Sequence, residues 1–268
     1  MAVNFSKNFP LSLRILSQVL RAAKDAPEAS LSEIGSVCGL NYIKARGVHG
    51  WLNMLGLYSL EVGVTPLGQL VLETDPFMTR RATQWVLHYK ISSNPSAEVW
   101  FWMANFFVQN GLTFTMDEAE NALKNAGIGR TSREHLHNAL RLYMKAYIDM
   151  DALGGLRILR RHDAQTYHAG TPLDINPLVV GYALYDRRST GVPTSTATIE
   201  SLLSTTGSAG KIFLLTRASL LEVLRQLEFK GFVTIAQVAD LDNIGYTYDG
   251  QALDILRMCY EEEKQCSS

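Results

Sequence analysis

Cysteine is scarce: the 268 residues hold only Cys38, Cys259 and Cys266. An odd, widely spaced set builds no disulfide framework and fits no zinc ribbon, so all three read as free thiols of a reducing compartment. Excess charge of one sign is missing too. Lys and Arg number 25 against 26 Asp and Glu, a formal net charge of -1, which excludes a histone-like or polybasic-tail binder acting through a global field. Long apolar runs are also absent. The longest uncharged stretch, Val99 to Met116, is broken by Asn105, Gln109, Asn110, Thr113 and Thr115, short of the roughly 20 apolar residues a membrane span needs. Met1 to Pro10 lacks a basic stretch followed by an apolar one, so no export signal and a cytoplasmic location are expected. What the chain has in quantity is apolar material, 47% of residues with 9% aromatic, enough to fill the core of one large domain or of two to three small ones.

Three segments share one plan, roughly 85 to 90 residues apart: a short capped helix, a turn, a longer helix, then residues of strand character. In the first, Ser30-x-x-Glu33 has the form of a capping box, Gly39-Leu40 turns the chain, and Asn41 caps a helix ending near Gly56. A strand pair is expected over 57–60 and 62–66. In the second, Thr115-x-x-Glu118 and Thr131-x-x-Glu134 both match the box, and a hairpin over 147–150 and 156–160 would turn at Gly154-Gly155. In the third, Thr216 caps a helix to about Phe229, and a strand from Gly231 pairs with 244–248. Each reads as a winged helix-turn-helix unit. Between the first two, Phe77 to Lys90 and Val99 to Met116 read as two helices turning at Asn94-Pro95, an aromatic hairpin whose Trp85, Trp100 and Trp102 supply core.

The expected fold is therefore mainly α with small β-wings: tandem winged helix-turn-helix units over 1–75, 113–186 and 187–268, with the aromatic helical hairpin over 76–112 and a linker around 187–196. The longer helices then have a buried and an outward face. In the first, Ala45, Val48, Leu52 and Leu55 form one stripe, while Tyr42, Arg46, His49 and Asn53, with Lys44 beside them, take the other side. In the second, Leu136, Leu140, Tyr143 and Tyr147 are the buried stripe, and Arg133, His137, Arg141 and Lys145 follow one another at intervals of four. From Arg130 to His162 seven Lys or Arg stand against three acids, a local excess suited to phosphates and to salt-dependent binding. A helix in a major groove offers its N-terminal side chains to base edges while neighbouring cations hold phosphates. Arg130, Thr131 and Arg133 are thus the base-facing candidates, and Arg157, Arg160 and Arg161 the wing contacts. The third unit differs. It mixes Arg225 with Glu222 and Glu228 and carries Asp240 and Asp242 at its wing and Glu261 to Glu263 behind it, which points to protein contact or homodimer formation.

Enzyme signatures are thin. Gly207-x-x-Gly210-Lys211 lacks the first glycine and the hydroxyl residue of a phosphate-binding loop, since Thr205 and Ile212 stand in their places. Glu228-x-Lys230 falls at a helix end, away from a strand and from a partner acid, unlike a metal-dependent nuclease site. His135 and His137 lie about 200° apart on a helix. No catalytic residue, metal site or cofactor is expected, and the partners expected are double-stranded DNA or, in the competing reading, proteins of a larger complex.

Several residues also carry a resemblance. Phe9-Pro10 with Arg14, Thr65-Pro66-Leu67-Gly68, Trp85-x-Leu87-His88, Asn94-Pro95, Trp100-x-Trp102-x-x-Asn105 and Phe114-Thr115 resemble a bacterial family of domains of unknown function encoded beside DNA phosphorothioation and other phage-defence genes. The resemblance covers roughly residues 5 to 150 well and the remainder loosely. It implies an accessory of DNA modification or defence and assigns no active site.

Overall fold

The computed structural model describes residues 4–128, 133–170, 175–190, 194–238 and 241–266. Thr131 and its capping box, Arg130 and Asp240 lie outside them. The chain divides into two compact units, 1–171 and 172–268.

The first unit opens with α1 (Leu13–Asp25), whose Leu13, Leu16, Val19, Leu20 and Ala23 are buried along one face. α2 (Leu31–Val37) starts at the expected capping box, with the Ser30 amide donating to the Glu33 carboxylate at 2.7 Å and the Glu33 amide to the Ser30 hydroxyl at 3.3 Å. Gly39 makes the turn at φ +69, and Asn41 caps α3 (Tyr42–Met54). These two helices cross closely: a Cβ on Gly35 would stand 2.6 Å from that of Ala45. The hairpin β1 (Tyr58–Ser59) and β2 (Gly63–Val64) follows within the expected segments, pairing Tyr58 with Val64. α4 (Pro66–Thr74) leads on to α5 (Arg81–Ser93) and α6 (Glu98–Trp102).

The stretch Val99 to Met116 is not one helix. It passes from α6 into a single π turn, Met103–Phe107, and then extends into strand β3 (Thr113–Thr115). Asn105 explains the break: its buried side-chain amide donates to the carbonyls of Ser92 and Phe101, at 2.9 and 2.8 Å, competing with the regular ladder. From β3 the chain forms α7 (Met116–Asn125), α8 (Arg133–Ile148), β4 (Leu159–Arg161) and β5 (Thr166–Ala169). β5 lies between the other two strands, antiparallel to both, with Phe114 opposite Tyr167 and Arg160 opposite His168. The hairpin expected over 147–150 and 156–160 is thus displaced. Residues 147 and 148 finish α8 because the Tyr147 hydroxyl bonds His88 Nδ1 at 2.7 Å in the core, and packing overrides the strand character of Tyr-Ile. Gly154 lies in a single 3-10 turn ahead of β4. The aromatic core of this unit joins Trp51, Trp100 and Tyr143, with Trp51 and Trp100 edge to face at 5.1 Å. Trp85 is buried as expected, whereas Trp102 is half-buried and stacks on Phe107.

The second unit also ends a helical run in a hairpin, with additional helices. α9 (Pro177–Thr190) precedes β6 (Thr196–Thr198), α10 (Ile199–Ser204), α11 (Ala209–Ile212), α12 (Arg217–Phe229), β7 (Val233–Val238) and β8 (Leu241–Tyr246), and α13 (Ala252–Cys266) closes it. Residues 187–190, expected to begin a linker, are the last turn of α9. β8 is central, between β6 and β7, and starts three residues earlier than its expected 244, pairing Tyr246 with Val233. Among the described residues no helix is long and apolar enough to cross a membrane.

Candidate nucleic-acid interface

The basic side chains of the middle module come from α8 and β4. Burial of Leu136, Leu140, Tyr143 and Tyr147 turns the opposite face of α8 outward, and His137, Arg141 and Lys145 are exposed on it. Arg133 begins the helix. Arg160 and Arg161 are exposed on β4, while Arg157 precedes the strand in a left-handed turn at φ +57 and is exposed there. The hairpin tip is preformed. The neighbouring Thr166 side chain and the amides of Gln165 and Thr166, which donate to Asp163 at 2.7 and 2.8 Å, hold its carboxyl down at about 2.

Folding adds one acid that the local count left out. Glu120 of α7 is 4% exposed and reaches Lys124 Nζ at 2.5 Å and His137 Nδ1 at 3.0 Å. Hydrogen bonds from Lys124 and then His137 lower its pKa to about 2. Lys145 lies 3.6 Å from Asp149. Arg141, Arg157, Arg160 and Arg161 therefore carry the unneutralised charge: among the described residues none of the four has a carboxylate partner. The sequence held a signal for Glu120, since Lys124 follows it by four on a helix, but its link to His137 crosses the turn between α7 and α8.

The first module presents a different surface. Tyr42, Lys44 and Arg46 are exposed on α3, with the Arg46 guanidinium 5.7 Å from the Tyr42 ring centroid. His49 and Asn53 are half-buried. The His49 ring packs edge to face on Tyr58 at 4.7 Å, and burial lowers its pKa, so it stays neutral at physiological pH. Asn53 donates to the Tyr58 carbonyl at 3.4 Å. Both side chains hold the hairpin onto α3. The structure thus brings the candidates of α8 and β4 onto one module and leaves those of α3 on a mixed apolar and basic helix start.

Helix pairs carried on small antiparallel sheets, one of them with a basic helix face and strand, define a mainly α architecture. The fold is shared with two crystal structures of SspB, one of them magnesium ion-bound. The TM-scores are 0.79 for the magnesium-bound form and 0.78 for the other, with 14% identity over 96% of this chain and 87% of the other in each case. Residues 39–260 match DUF4007, described as a protein of unknown function, and the chain belongs to that family. No curated protein matches it.

Proposed function

We propose that this chain binds double-stranded DNA as a non-enzymatic accessory of a bacterial DNA-modification or phage-defence system, through winged helix-turn-helix units. The observation that carries this reading is the middle module: strand, helix, helix and hairpin in that order, the returning strand central, with unpaired arginines exposed on the second helix and on the hairpin. In that arrangement α8 enters a major groove, and Arg141, Arg160 and Arg161 hold phosphates on either side, helped by Lys145 and His137. Arg133, which begins α8, is assigned to base edges together with Arg130 and Thr131, which lie outside the described residues, and Arg157 to the phosphate backbone. The setting in modification or defence rests on the resemblance to domains encoded beside phosphorothioation genes. One SspB structure holds magnesium. In this chain no group of three or more His, Cys, Asp or Glu among the described residues is arranged to hold a metal ion, and no step is routed through a metal.

A second reading, a scaffold for proteins of the same system, is favoured by the first module. Val37 at the end of α2 and Tyr42 and Ile43 at the start of α3 are 81%, 56% and 65% exposed, an apolar patch suited to a protein partner. The C-terminal unit would then supply the homodimer contact.

Fluorescence anisotropy with duplex DNA at 50 and 200 mM salt separates the two, using plain and phosphorothioated probes in parallel. The three contacts of Arg141, Arg160 and Arg161 alone give a loss of about 40-fold between those concentrations. Arg141→Ala with Arg160→Ala and Arg161→Ala is expected to remove most of that slope while the protein stays folded. Binding that ignores salt, or no binding at 50 mM, overturns the DNA reading in favour of the scaffold.

A further inference from the structure

We propose that a cavity between α1, the turn leading into α5 and the loop after α8 is a binding site for a nucleoside phosphate. The cavity has a volume of about 660 Å³, within the roughly 300–1,000 Å³ typical of small-molecule sites. It shares no lining residue with the basic face of α8 and does not depend on the DNA reading. Three arginines line it, Arg14 and Arg21 from α1 and Arg81 from the first turn of α5, against one carboxylate, Asp151. Among the described residues none of the three arginines has a carboxylate partner. Three such groups around one concavity carry the charge and the fork of donors that a phosphate takes up. The single carboxylate is already engaged, for Asp151 accepts from the Ser12 hydroxyl at 2.7 Å.

The other half of the ligand is set by Phe77. Its ring lines the same cavity and is 59% exposed, with the Arg21 guanidinium 4.9 Å from the centroid. An exposed ring beside a cluster of arginines gives a base a face to stack on while its phosphate is held.

The walls are tied to one another, so the site is preorganised. The Ser17 hydroxyl of α1 donates to the Pro76 carbonyl at 2.5 Å, and the Leu13 amide donates to the Asp151 carbonyl at 2.9 Å. Buried Asp75 accepts from the amides of Thr79 and Arg80 at 3.0 and 2.9 Å, fixing the turn on which Phe77 sits and from which Arg81 follows. With all three walls braced before binding, little ordering cost opposes capture.

The test is anisotropy of a fluorescein-labelled, 5′-phosphorylated single-stranded oligonucleotide, in competition with deoxyadenosine monophosphate and with inorganic phosphate. Arg81→Gln is expected to weaken binding about tenfold, and the further change Arg14→Gln to weaken it again by a similar factor. Phe77→Ala costs at least about fivefold, while Arg141→Ala on α8 leaves this binding unchanged. Arg14 and Arg81 are exposed, and Arg81→Gln alone keeps the test standing if the double variant does not fold. Competition by the mononucleotide assigns the site to a free nucleotide, and binding confined to the oligonucleotide assigns it to a strand end; both uphold the proposal. It is overturned if the wild type binds none of the probes, if inorganic phosphate competes as well as the nucleotide, or if the folded Arg variants keep full affinity.

Discussion

The middle module and the core of the C-terminal unit share one plan, a strand, then helices, then a hairpin, although the C-terminal unit inserts α11 and is flanked by α9 and α13; in both the last strand lies centrally in a three-stranded antiparallel sheet. Their outward chemistry is opposite. α8 and β4 expose Arg141, Arg160 and Arg161, whereas α12 exposes Glu222 and Glu228 around Arg225, and β8 carries Asp242. Two cations of the second surface are spent internally. Arg217 pairs with Asp242, Lys230 lies 2.6 Å from Glu262, and Glu228 accepts from the Ile235 amide at 2.6 Å. In the proposed reading one sheet topology serves two kinds of partner, with the side chains on the long helix and the hairpin deciding which.

Charge reversal tests that division most severely. Arg141→Glu with Arg160→Glu and Arg161→Glu is expected to lower duplex affinity by at least about a hundredfold at low salt, because three phosphate contacts become repulsions. Glu222→Lys in α12 is expected to raise it only a few-fold, since one added cation supplies one contact without the rest of the face. Equal effects from the two modules, read by anisotropy, would dissolve the contrast.

The two units also differ in how their helices approach their neighbours. A Cβ on Gly50 of α3 would stand 2.1 Å from the Phe5 carbonyl oxygen, a backbone atom that cannot step aside, whereas one on Gly181 of α9 meets the ends of Leu227 and Ile255 at 3.1 and 3.3 Å. Gly50→Ala is expected to cost about 2–3 kcal/mol, lowering the melting temperature of its unit by roughly 5–10 °C. Gly181→Ala is expected to stay within about 1 kcal/mol, as side-chain rotation and the helix preference of alanine offset the crowding. Thermal melts by circular dichroism distinguish the two; a Gly50→Ala protein that melts like the wild type would show that the N-terminal segment does not lie on α3.

Helices and caps were legible because they are local. Ser30 with Glu33 and Thr115 with Glu118 form the boxes their spacing announces, and the buried stripe of α8 follows its period. Strand positions were not, because pairing is decided at a distance: Tyr147 and Ile148 read as strand until His88 gives the tyrosine a partner in the core, and β4 and β5 lie further along the chain. The long aromatic helix failed for a similar reason, since the effect of Asn105 depends on the Ser92 carbonyl being in reach. Of the candidate surface, exposure at Arg141 and Lys145 followed from periodicity, whereas that of Arg160 and Arg161, adjacent on one strand, did not. Nor did the half-burial of His49 and Asn53 against Tyr58, since the expected strand pair over 57–60 and 62–66 carries no sign of which helix residues it packs against. The arginine cavity was invisible because α1, the turn into α5 and the loop after α8 are far apart in the chain.

The smallest expected effect concerns the acid inside the basic face. Glu120 has a folded pKa of about 2, below its ordinary value of 4.5, so its contribution to stability is fully present above about pH 4.5 and is lost as the pH falls towards 2. Glu120→Gln removes that dependence, and the melting temperature of the variant is expected to fall less steeply than that of the wild type through this window. The same change releases His137 and Lys124 from a carboxylate that now lies 3.0 and 2.5 Å away, and duplex affinity at low salt is expected to rise about two- to threefold, as for one partly screened charge. If affinity falls instead, the Glu120 contact is what positions α8 against α7, and the basic face depends on that anchor as much as on its own arginines.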